Sequence, residues 1–218
     1  TVQSSEAGTV YLVRDSGTVT DLSSLTSAAD NLVNSVSVTA NAGTALALTG
    51  LADGTYHAYA VDASGNVSAV SGSSVVVDNT APVFTSAATA ADITDSTAVG
   101  DTVYAAAATD AHGITWSLSD TQHFSINAST GIVTLLSSPA KATGAQFVVT
   151  ATDAAGNQTT QTVTYNVVDT TPPGVTLIGD ADGVENSSET VTVQSSEAGT
   201  VYLVRDSVTV TDLNSLIN

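Results

Sequence analysis

Short stretches in which apolar and polar residues alternate recur along most of the chain. They read TVYLV (9–13), SVSVTA (35–40), TYHAYAV (55–61), SSVVVD (73–78), ITWSLS (114–119), GIVTLL (131–136), AQFVVTATD (145–153) and QTVTYNVVD (161–169). A period of two, a preference for Val and Thr, and flanking Gly, Asn, Asp and Ser predict β-strands separated by turns. In TYHAYAV the period puts Tyr56, Ala58 and Ala60 on one face and His57, Tyr59 and Val61 on the other. Trp116, alternating with Ile114 and Leu118, is expected in a core for the same reason. One stretch departs from the pattern. DLSSLTSAADN (21–31) spaces Leu22, Leu25 and Ala29 at helical intervals with Asp21 placed to cap, so a short helix is expected there.

The chain also repeats itself. Thr1–Ser16 returns letter for letter as Thr192–Ser207, a period of 192 − 1 = 191 residues. Over the 27 aligned positions the differences are Gly17/Val208, Ser23/Asn214, Thr26/Ile217 and Ser27/Asn218. Such closeness is the mark of tandem duplication, and one period plus an overhang is expected to be a window onto a longer array. Two strand ends read alike, VVVDNTAP (75–82) and NVVDTTPP (166–173), each an Asp, a small polar pair and then proline. Proline fixes φ and favours extension before it, so both links are expected to be short and stiff. The expected division is an incomplete first domain (1–80), a complete second one (81–170) and the opening of a third (171–218). The third carries GVTLIGDADGVENSSETV ahead of the repeated segment, which is the part the first domain lacks.

Composition narrows the partners. Hydrophobic residues are 42% of the chain and aromatics 5%, so the cores are expected to be built mainly from Val, Ile, Leu and Ala. The 21 Asp and Glu face three basic residues, Arg14, Lys141 and Arg205, for a net charge of −18. A field of that sign repels phosphate backbones and anionic lipid heads, which argues against nucleic-acid and membrane partners. It is tolerated by solvation in salty water or by bound divalent cations. Cysteine is absent, which removes disulfides and thiolate metal sites, and no apolar run approaches membrane-spanning length.

Residues 51–80 resemble the closing half of bacterial Ig-like repeats from giant surface adhesins of the RTX type. Leu51 and Gly54–Tyr56 look like that fold's tyrosine corner, in which the Tyr56 hydroxyl bonds back to upstream backbone. Residues 83–170 are similar to a cadherin-type domain through ATDAHGITWSLS (108–119), FSINASTGIVTL (124–135) and VVTATDAAGNQTTQTVTYNVVDTTPP (148–173). The resemblance implies an all-β fold of tandem Greek-key β-sandwiches, Ig-like alternating with cadherin-like, arranged end to end. It also implies calcium where consecutive domains meet. Two departures stand out: PVFTSAATAADI (82–93) lacks the family's early glutamate, and His112 replaces the second acid of its D-x-D pair.

The acids are placed to suit that chemistry. Calcium takes about six to eight oxygens at ~2.3–2.6 Å, so several carboxylates and carbonyls must converge. Asp153 lies in the turn TDAAGN and Asp169 ends the last strand of the second domain; Asp62, in VDASGN, and Asp78 repeat the arrangement one domain earlier. Each pair is expected to meet at one pole beside the proline link. Asp110 would join the first junction, and Asp180, Asp182 and Glu185 the second. The alternative is that D-x-x-G-N is an ordinary Asx turn. His57, His112 and His123 are dispersed and read as surface or core residues, Glu6 and Glu197 as solvated turns, and no G-x-S-x-G nucleophile elbow is present.

The resulting expectation is a non-catalytic, calcium-stiffened extender of a large extracellular bacterial adhesin, whose partners are neighbouring repeats of the same chain or fibre. Two rivals stay open: a filament subunit joined by strand complementation between chains, and a module whose loops grip glycan or protein.

Overall fold

The computed structural model describes residues 1–27, 29, 32–139, 142–178, 190–204, 209–211 and 215. Two compact units emerge, one of Thr1–Ile93 with Thr97–Val167, the other of Thr94–Ser96 with Val168–Asn218.

The first unit begins with β1 (Gly8–Arg14), α1 (Leu22–Thr26), β2 (Val33–Val38), β3 (Gly54–Asp62) and β4 (Ser74–Val77). The strands form one antiparallel sheet in the order β2-β1-β3-β4. Its two faces fill two clusters, as the period of two requires. Leu12, Leu51, Tyr56 and Val77 pack on one side and Val13, Leu25 and Val61 on the other. Tyr56 is fully buried, and its hydroxyl donates to the Ala52 carbonyl at 2.7 Å, forming the expected corner. The helix is shorter than its sequence stretch. Asp21 caps it reciprocally with Ser24, but the Thr26 hydroxyl bonds back to the Leu22 and Ser23 carbonyls, a competition with backbone bonding that disfavours continuation.

The chain then runs through β5 (Val83–Phe84), β6 (Ile93–Thr94), β7 (Thr102–Ala105), β8 (Ala108–Thr109), β9 (Ile114–Leu118), β10 (Phe124–Ile126), β11 (Ile132–Leu135), β12 (Ala142–Asp153) and β13 (Gln158–Val168). Three strands form the sheet β10-β11-β7 and four the sheet β6-β13-β12-β9, with β5 and β8 paired separately. Side chains from both larger sheets share one core, including Val103, Phe124 and Val133 from the first and Trp116, Phe147, Val149 and Val163 from the second. This is a β-sandwich. Its core departs from the aliphatic expectation, because the few aromatics gather here. The Phe124 ring lies 5.0 Å from Phe147 and 5.3 Å from Tyr165, and Trp116 meets Phe84 edge-on at 5.7 Å. Low average aromatic content says nothing about how unevenly the rings are shared.

In the second unit β14 (Val175–Ile178) pairs antiparallel with β15 (Thr192–Ser195). Its Val175, Leu177 and Ile178 are each more than half exposed. No helix among the described residues is long and apolar enough to cross a membrane.

Candidate metal centre

Strand direction decides which acids can meet. β3 and β4 are antiparallel, with Gly54 opposite Val77, and Asp62 lies at the far end of β3 opposite Gly8. Asp78 follows Val77 and so falls level with Asp53, nine residue steps of ~3.3 Å from Asp62, which puts Asp62 and Asp78 about 30 Å apart along the sheet. The same holds in the sandwich, where Asp153 ends β12 beside Gln158 while Asp169 follows the far end of β13. The expectation that Asp62 meets Asp78, and Asp153 meets Asp169, at one pole is therefore wrong. Each pair is separated by a single chain reversal, and one reversal sends the exit of the next strand to the opposite end.

What the fold does assemble is a different set. Asp78 leaves β4, and Asp110 and His112 occupy the turn between β8 and β9. One ligand atom from each of these three residues lies within 4.8 Å of the other two. His112 Nδ1 is 2.7 Å from Asp78 Oδ2, and the Asp78 side chain is 7% exposed. Asp78 Oδ1 accepts from the Thr80 amide, which bends the chain toward Pro82, and Asp110 Oδ1 accepts from the His112 amide, which holds the turn.

Asp153 approaches this set through an intermediary. The Asn157 side-chain amide donates both to Asp153 Oδ2 at 2.8 Å and to the Asp78 carbonyl at 3.0 Å. Asp153 Oδ1 accepts from the Gly156 and Asn157 amides, a closure that needs Gly156 at φ +96°. Burial pushes the Asp153 carboxyl upward, but the bonds from Asn157, Gly156 and Ala155 outweigh it and hold the group below the ordinary carboxylate range. Asp62 sits in a matching loop, accepting from the Ser64 and Asn66 amides and the Asn66 side chain, with Gly65 at φ +84°. The Asn66 side chain and then its amide lower the Asp62 pKa. Both D-x-x-G-N segments are thus Asx-type loops whose carboxylates are satisfied by their own turns.

The remaining candidates lie apart. Asp169 Oδ1 accepts from the Thr171 amide. Asp180, Asp182 and Glu185 lie outside the described residues. Two participants were not singled out from the sequence, and a third was given the wrong role. His112, noted there as standing in place of an acid yet read as a surface or core histidine, stands among the carboxylates, and its signal is the D-x-H spacing within a turn. Asp53 and Asp95 tie down the two strand exits: Asp53 accepts from the Asn79 amide and the Thr80 hydroxyl, and Asp95 from the Thr170 amide and hydroxyl. The signal was the recurrence of D-[NT]-T before proline at both links.

The donor set suits a divalent cation. Ligands on one ion at ~2.4 Å cannot be farther apart than about 4.8 Å, and these three meet that bound. Two carboxylates are hard oxygen donors fit for calcium, whereas the imidazole nitrogen favours borderline ions. Without a cation, His112 partly satisfies Asp78. With one, the paired charges of Asp78 and Asp110 supply the attraction.

No known protein family and no individually curated protein matches the sequence. Solved structures that match the chain include cadherin ectodomains. Drosophila N-cadherin EC1-4 is 19% identical, with a TM-score of 0.48 over 96% of this chain and 56% of that one. Human protocadherin-24 EC1-2 is 20% identical, with a TM-score of 0.40 over 46% of this chain and 50% of that one. Human desmocollin-1 is 19% identical, with a TM-score of 0.38 over 56% and 28%. The chain spans little more than half the length of such structures at most. The fold described above rests on sheet topology and core packing alone.

Proposed function

We propose that the chain is a non-catalytic extender, a run of end-to-end sandwiches that holds another part of a large extracellular bacterial adhesin away from the cell. The domain division at Pro82 and Pro172 belongs to this reading. The observation that carries it is the convergence of Asp78, Asp110 and His112 beside the Asp78–Pro82 link. Acids from either side of a short proline-stiffened connection repel and favour bending, and a shared cation reverses the sign of that interaction. Calcium is the ion favoured by the two carboxylates and by the resemblance of 83–170 to a cadherin-type domain. The register supports a specific composition for each junction: the exit Asp of one domain, with the D-x-H turn and the D-x-x-G-N loop of the next. Asp169 would then serve the junction with the domain that opens at 171, and Asp62 a junction at the opposite end of its own domain.

The test is small-angle scattering and thermal melting of the whole chain in calcium and in EDTA. Calcium is expected to lengthen the maximum dimension and raise the melting temperature, and Asp78→Asn to abolish both effects. Identical scattering and melting in the two buffers would refute the calcium lock.

A further inference from the structure

Hydrogen bonds already claim most of the oxygens around the Asp78–Pro82 link. Asp78 Oδ1 accepts from the Thr80 amide and Asp110 Oδ1 from the His112 amide. The Asp78 carbonyl accepts from the Asn157 side chain, and both Asp153 oxygens accept within their own turn. That leaves one carboxylate oxygen on each of Asp78 and Asp110, together with His112 Nδ1, and a ligand atom from each of these residues lies within 4.8 Å of the other two. Among the described residues neither carboxylate is paired with Lys or Arg, although the Asp78 side chain is only 7% exposed.

Two free oxygens are a poor start for calcium, which takes about six to eight and would draw the rest of its shell from water. Two carboxylates and one imidazole are instead the full protein share of a four-coordinate site that holds three side chains and a water. At bond lengths of ~2.0–2.2 Å and tetrahedral angles, ligand atoms stand about 3.3–3.5 Å apart. His112 Nδ1 and Asp78 Oδ2, now 2.7 Å apart, need to part by only roughly 0.7 Å to reach that spacing. Both Oδ1 atoms stay anchored by their turn amides while this happens. The ring can release its Nδ1 lone pair without changing charge. Facing an ionised Asp78, Nδ1 carries the proton; with an ion bound, Nε2 carries it, and the partly exposed ring lets water accept the bond. The other histidines lack this setting. His57 and His123 each face one carboxylate, Asp15 and Asp120, and among the described residues only the Asp78 trio brings three ligands together.

We infer that the first junction also takes a borderline first-row divalent ion, zinc being the type case, with His112 Nδ1 and the carboxylates of Asp78 and Asp110 as its ligands. His112 is thus the residue that sets which metal the link accepts. Zinc occupies it at concentrations well below those calcium needs, and the two ions compete for the same carboxylates. The inference rests on the junction reading only in taking the Asp78–Pro82 link as the place where a cation acts.

The test is calorimetric titration of the whole chain with zinc chloride, and separately with calcium chloride, after chelator has been removed. Zinc is expected to bind at least about tenfold more tightly than calcium, and excess calcium to weaken it. Nitrogen-15 spectra are expected to show zinc shifting His112 Nδ1 while the rings of His57 and His123 stay unchanged. His112→Gln is expected to weaken zinc by at least about tenfold, while its calcium affinity stays within about threefold and shows that the carboxylates are still in place. Zinc that binds no more tightly than calcium overturns the inference. So does zinc binding that His112→Gln or excess calcium leaves unchanged, or a shift at His57 or His123 in place of His112. The two readings fail separately. Zinc held by His112, with scattering and melting indifferent to calcium, would refute the calcium lock alone; a calcium-locked link that prefers calcium to zinc would refute this inference alone.

Discussion

His112→Asp tests the junction through a change of sign. In the structure the imidazole sits 2.7 Å from Asp78 and shares with Asp110 a space no wider than 4.8 Å. Replacing it by a carboxylate removes the Asp78 contact, worth about 0.5–1 kcal/mol for a partly exposed pair. It also sets a third negative charge near the other two. At ~4.8 Å each repulsion costs about 0.9 kcal/mol in a water-like dielectric and about 3.5 kcal/mol at an effective value of 20. His112 has 39% of its side chain exposed, so the lower figure governs. The variant is therefore expected to lose roughly 2 kcal/mol in EDTA, which lowers the melting temperature by about 8–16 °C for a domain of this size. Calcium reverses the balance. A carboxylate ~2.4 Å from a doubly charged ion gains about 3.5 kcal/mol in the same dielectric, against about 1.8 kcal/mol of repulsion, which corresponds to at least about tenfold tighter binding. Calorimetric melting in EDTA and isothermal calcium titration measure the two halves. A variant that melts with wild type in EDTA, or binds calcium no better, would refute the reasoning.

Further outcomes follow from the core and from the turn carboxylates. Phe124→Ala removes a fully buried ring that touches Phe147 and Tyr165 and is expected to cost about 3–5 kcal/mol by urea denaturation, since its cavity lies between two sheets; a cost below about 1 kcal/mol would contradict a shared core. The carboxyls of Asp53, Asp62, Asp95 and Asp153 are held below their ordinary value of 3.8, Asp53 chiefly by the Thr80 hydroxyl and Asp95 by that of Thr170. Groups depressed in the folded state contribute stability that is present above the unfolded value and lost as pH falls through the folded ones. Melting temperature is therefore expected to be steady down to about pH 4 and to fall below it, less steeply in Asp62→Asn; a profile already falling between pH 7 and 5 would assign the loss to other groups.

The sequence made the strands legible because alternation is local: each apolar position in TYHAYAV or QTVTYNVVD needs only its neighbours to declare a face. The Tyr56 corner was legible for a similar reason, its acceptor lying four residues upstream. The helix at 21–31 was read too long, since Leu22 and Ala29 mimic a buried stripe while Leu25 alone is buried within α1. The site was harder. That Asp78 belongs with Asp110 and His112, and not with Asp62, depends on how many times the chain reverses between them and on how two sheets face each other. Neither is a property of spacing along the chain. Asn157 illustrates the limit most clearly. Its side chain joins Asp153 to the carbonyl of Asp78, 79 residues away, and nothing in the letters DAAGN distinguishes it from Asn66 in DASGN.

Most direct of all is anomalous diffraction from crystals of the whole chain grown in calcium and collected at a wavelength where calcium scatters anomalously. A peak between the Asp78 and Asp110 carboxylates, within ~2.3–2.6 Å of their oxygens, is the predicted result. Carboxylates that bracket only water, with His112 still bonded to Asp78, would contradict a cation-locked junction.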